Sequence, residues 1–128
     1  SSMITWLQHD AYLKELKALH KTTRSIEKDI EKVKRLLVAH FYVEQTKGGV
    51  ISPGKIHRIT VDNDVTGREL WKVEVIVPGL KPNLWPRLWF MVDGETVTFL
   101  AIASHKTNYD NNEIDRIAIE RYKDILDL

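Results

Sequence analysis

The sequence predicts an α+β domain in which an N-terminal strand and a helical hairpin pack on a curved antiparallel sheet, with a C-terminal helix. Three observations carry this. Apolar residues recur every three to four positions up to Phe41, every second position from Ile56, and every three to four again after Asp110. Asp93-Gly94 stands between two apolar runs, the signature of a two-residue β-hairpin turn. Glycine and proline cluster at Lys47-Gly48-Gly49 and Ser52-Pro53-Gly54, where the period changes.

Taken in order, Met3 to Leu7 is short and apolar enough for a strand, and Asp10 is the expected cap of the helix that follows. Tyr12, Leu13, Leu16, Leu19 and His20 form the apolar stripe of that helix, with Lys14, Glu15 and Lys17 facing solvent. Thr22-Thr23 interrupts the pattern. From Arg24 to Val43 a second helix places Ile26, Ile30, Val33, Leu37 and Phe41 inward, and so tight a connection predicts a helical hairpin. Ile56 to Val61 and Trp71 to Val77 alternate as strands around a turn from Asp62 to Gly67. Pro78, Gly79, Pro82 and Pro86 mark an irregular loop before the hairpin strands Arg87 to Val92 and Glu95 to Ser104. The last helix opens at Asp110 with Glu113 as a capping box and turns Ile114, Ile117, Ala118, Tyr122 and Ile125 to one side. All helices are expected on one face of the sheet.

A length of 128 residues suits one domain spanning the chain, with Ser1-Ser2 read as a cloning remnant before Met3. The absence of cysteine excludes disulfides, thiolate metal sites and a cysteine nucleophile, and suits a reducing cytoplasm. No window approaches the roughly 18 consecutive apolar residues of a membrane span. The net charge is +1, but unevenly placed: between Asp10 and Lys47 nine Lys/Arg stand against six Asp/Glu, and from Asp110 onward three stand against six. Any nucleic-acid contact must therefore rest on a local basic patch.

Four stretches in fixed order carry a family resemblance. They are Leu70-Trp71-Lys72-Val73-Glu74-Val75, then Arg87 through Val97, then His105-Lys106-Thr107, then Glu113-Ile114-Asp115 with Glu120-Arg121-Tyr122. Together they resemble the HigB-like branch of RelE toxins, within the RelE/ParE toxin superfamily. Met3-Ile4-Thr5-Trp6 and Tyr12 to Leu16 look like that family's first strand and helix, and between Phe41 and Arg68 this chain is longer than a typical member. The resemblance implies a type II toxin that cleaves mRNA on the ribosome without a metal or other cofactor, and that is held in check by a cognate antitoxin.

The chemistry can also be assembled from the residues. Attack of a 2′-hydroxyl on the adjacent phosphate needs a proton acceptor, cations for the transition state and a proton donor for the leaving 5′-oxygen. Arg87 opens a strand at the position matching the family's strand arginine, and its fork can clamp two phosphate oxygens. His105, with an ordinary pKa of roughly 6.5, is the expected general acid, and Lys106 beside it attracts phosphate. Lys72 sits where the family often has a basic residue and, with Arg87, is the expected phosphate clamp. Glu74 departs from the lysine found in some members; it is either a carboxylate base or a cross-strand ion-pair partner of Lys72 or Arg58. Tyr109 can stack on a base or pack on the last helix, and Lys55, His57 and Arg58 form a basic strand edge that is either an RNA contact or a solvated face.

Other motifs carry less. Gly49 to Lys55 has the glycine and lysine spacing of a phosphate-binding loop, but Ile56 replaces the magnesium-binding hydroxyl and the segment follows a helix. The five histidines have no metal-ligand spacing, and His20 and His40 fall on inward helix stripes. Trp6, Trp71, Trp85 and Trp89 read as core and sheet surface. Two other functions fit the same fold: a ParE-like DNA gyrase inhibitor, which the combination of Arg87, His105 and Lys106 disfavours, and a non-catalytic module that binds RNA or protein.

Overall fold

The computed structural model describes residues 3–60, 67–104 and 111–126. The order is β1 (Thr5–Gln8), α1 (Asp10–His20), α2 (Ile26–Phe41), β2 (Ile56–Ile59), β3 (Arg68–Glu74), a short 3-10 turn (Pro82–Leu84), β4 (Arg87–Asp93), β5 (Thr96–Ala103) and α3 (Asn111–Ile125). The strands form one sheet in the order β1-β5-β4-β3-β2. The α+β class is as the sequence predicts. The sheet is mixed, because β1 runs parallel to β5 while the other pairs are antiparallel.

The helices cover both faces, contrary to the one-sided arrangement expected. Leu88, Phe90 and Val92 of β4 pack with Tyr12, Ile26, Ile30 and Leu37 of α1 and α2, whereas Trp89 and Met91 pack with Ala118 and Tyr122 of α3. The physical reason is legible in hindsight. Leu88 to Val92 is an unbroken apolar run and Val97 to Ile102 is interrupted only by Thr98, and every residue in both is buried, as in strands sandwiched between two layers. In the edge strand β2, by contrast, Ile56 is buried while His57 and Arg58 are both exposed.

Local corrections follow from hydrogen bonding. His9, not Asp10, caps α1, its Nδ1 accepting the Ala11 amide at 3.0 Å. Leu13 is exposed although its spacing puts it on the apolar stripe, and His20 ends half-exposed against Glu27 at 2.7 Å. In the hairpin Asp93 still pairs with Thr96, so the turn residues are Gly94 and Glu95, with Gly94 at φ 59°. A bulge in β5 opposite Trp89 and Phe90 brings Leu100 and Ala101 both to the α3 side. Most of the Asp62–Gly67 turn, and the Asp110 cap, lie outside the described residues. No helix among the described residues is long and apolar enough to cross a membrane.

Candidate active site

Strand alternation decides which charges meet. Lys72 lies opposite Trp89 on one side and His57 on the other, and Glu74 lies opposite Arg87. Since directly paired residues project to the same face, Lys72, Trp89 and His57 point to the side of the sheet that carries α3, whereas Glu74 at the end of β3 does not line the cleft there. The second turn of α3 brings Asp115 over Lys72. The result is an open cleft of about 510 Å³ lined by His57, Arg58, Ile59, Thr60, Lys72, Arg87 and Asp115. That volume falls within the about 300–1,000 Å³ of small-ligand sites.

The floor of the cleft is tied together by charge. The Lys72 ammonium lies 3.4 Å from both oxygens of Asp115, and the Trp89 indole N–H donates to Asp115 Oδ1 at 2.7 Å. Lys72 and Asp115 keep only 16% and 23% of their side-chain surface exposed, so the pair is largely shielded from water yet opens on the cleft. Arg58 pairs with Glu69 at 3.6 Å, and Glu69 in turn accepts the Trp71 indole N–H at 3.0 Å. These contacts redirect the sequence expectation for Glu74. Lys72 pairs with Asp115 and Arg58 with Glu69, and among the described residues no ion pair of either with Glu74 is seen.

The expected site residues divide into three groups. Lys72, Arg87 and Arg58 come together in the cleft. Glu74 and Lys55 border a separate hollow with Val33, Leu36 and Ile76, and the Lys55 ammonium sits 5.1 Å from the centre of the Trp85 ring. His105, Lys106 and Tyr109 lie outside the described residues. Of the helical histidines, His40 is buried as its stripe predicts, and its Nδ1 accepts the Ile51 amide at 3.1 Å.

Sequence reasoning missed Asp115 and the role of Trp89. A signal was present: Asp115, Ala118 and Tyr122 stand at i, i+3 and i+7, so a carboxylate continues the buried stripe of α3. An acid in such a place requires a buried donor, and Trp89 supplies one. The same reasoning explains Glu15, which was assigned to solvent but pairs with Arg121.

Chemically, the cleft offers three cations from three neighbouring strands (Arg58, Lys72 and Arg87), an imidazole and a carboxylate around one opening. Such a set can hold a phosphodiester and move protons at it. Among the described residues no cluster of three or more His, Asp or Glu is arranged to hold a metal ion. Comparisons with protein-family models, with curated proteins and with solved structures gave no match to this chain.

Proposed function

We propose that the protein is a RelE-type toxin: a metal-independent endoribonuclease that cuts mRNA on the ribosome in the cytoplasm and is neutralised by a cognate antitoxin. One observation supports this above the others. Lys72 and Arg87, both chosen from the sequence as phosphate clamps, line a single cleft although they belong to different strands. Paired cations on a rigid sheet suit the dianionic transition state of 2′-hydroxyl attack, because they need no rearrangement as charge develops. Arg87 grips the two non-bridging phosphate oxygens and Lys72 adds a second positive charge beside them. His105 and Lys106 complete the reading as proton donor and added cation, and Tyr109 as a stacking surface.

The test is to incubate the protein with translating ribosomes and map mRNA 5′ ends, with Arg87→Ala, Lys72→Ala and His105→Ala alongside. New 5′ ends that are strongly reduced, but still measurable, in Arg87→Ala and Lys72→Ala are expected. Undiminished cleavage in all three variants would remove this site assignment. Gyrase poisoning without mRNA cleavage would favour the ParE-like reading, and binding of RNA or a protein without either would favour a non-catalytic module.

A further inference from the structure

We infer that Asp115 is a positioning residue: it transmits the fixed position of the buried Trp89 indole to the Lys72 ammonium, and so aims that cation at the phosphate. This rests on the reading of the cleft as an RNA-cleaving site, and it adds two residues to which the sequence analysis assigned no part in the reaction.

Trp89 is the stiff member of the three. It lies in the central strand of the sheet, is 0% exposed, and its indole N–H is a donor only. At 2.7 Å from Asp115 Oδ1 this is a short, charge-assisted hydrogen bond. The far end of α3 is held as firmly, since Arg121 bonds both Glu15 oxygens and the Leu100 carbonyl. The Asp115 carboxylate is therefore fixed from the sheet below and along its own helix.

Lys72 is the mobile member. A lysine stem has four rotatable carbons and loses substantial entropy when held in one geometry. Its ammonium sits astride the carboxylate, 3.4 Å from each oxygen, which engages one side of the group. An ammonium has three donor protons, so the others remain able to serve a phosphate in the cleft that Lys72 lines. A loose surface pair would have neither the buried third partner nor the low exposure seen here. If Asp115 instead acted as a counter-ion competing with phosphate, its removal would strengthen RNA binding and cleavage. The two roles thus have opposite signs.

The experiment is a set of double-mutant cycles on the full chain. Trp89→Phe keeps an aromatic ring and removes the donor; Asp115→Asn keeps the shape and removes the charge. Each is combined with Lys72→Ala, and single-turnover and steady-state cleavage are measured on ribosomes. Each single variant is expected to lower kcat roughly tenfold to a hundredfold with little change in KM, as for a misaimed catalytic group. In the Lys72→Ala background neither should lower it further. Additive losses there, or a higher kcat in Asp115→Asn, would overturn the proposal. The Lys72 ammonium resonance in 15N NMR provides a reading that needs no RNA. A slowly exchanging signal in the unmodified chain that is lost in Asp115→Asn supports positioning, and an unchanged signal overturns it. An unmodified chain that cleaves nothing removes the functional reading, while the resonance still decides the positioning role.

Discussion

Arg121 of α3 and Glu15 of α1 form a two-pronged ion pair, at 2.8 and 2.9 Å, that joins helices from opposite faces of the sheet. Its place is set by the length of β1, which pairs with β5 only from Thr96 to Phe99. Beyond that point the Leu100 carbonyl accepts from Arg121 at 2.7 Å and the Ile102 amide donates to Glu15 at 3.2 Å. The ion pair thus satisfies the backbone edge that β1 leaves uncovered.

Removing one member of this pair should be costly, because the other charge and a backbone group lose their partners together. Arg121→Ala is expected to lower stability by about 2–4 kcal/mol, near the range for breaking a largely buried pair. Urea denaturation will check it, and Glu15→Ala/Arg121→Ala should lose less than the sum of the single variants.

His40 should make the fold sensitive to mild acid. Burial holds its pKa below the ordinary histidine value, and its Nδ1 must stay unprotonated to accept the Ile51 amide. The unfolded chain therefore takes up a proton first as pH falls, so the contribution is complete above roughly pH 6.5 and is lost toward the lower folded-state pKa. Thermal melts between about pH 7.5 and 5 should show a smaller decline in His40→Gln than in the unmodified chain.

The hairpin turn should tolerate a side chain sterically but not conformationally. A Cβ at Gly94 meets nothing within 4 Å, yet φ is +59°. Gly94→Ala is expected to cost about 1–2 kcal/mol from the left-handed backbone alone, and Gly94→Asn less. Chemical denaturation of the three proteins measures this directly.

Lys72 and Lys55 should differ in RNA binding. Lys72 lines the cleft, whereas the Lys55 ammonium rests on Trp85. With a single-stranded RNA oligonucleotide, Lys72→Ala should reduce the slope of log affinity against log salt by about 0.7, as for one lost phosphate contact. Lys55→Ala should change the slope less. Equal effects would show that the hollow beside Trp85 also contacts RNA.

Local order determined much of this molecule from the sequence alone. The helical stripes through Tyr12, Leu19, Ile26 and Leu37, the β period around Ile56 and Val73, and the hairpin at Gly94, whose turn lies one residue later than Asp93-Gly94, come from spacings that neighbouring residues enforce on one another. Lys72 and Arg87 were legible as candidate phosphate ligands by their chemistry and strand positions. Only the tertiary structure decided that the helices sandwich the sheet, that Lys72 meets Asp115 rather than Glu74, and that Glu15 turns inward to Arg121. Those outcomes depend on strand register and helix docking across 43 and 106 residues of chain. Periodicity fixes which face a side chain takes, whereas its charged partner is set by whichever distant element must satisfy the same buried donors and acceptors.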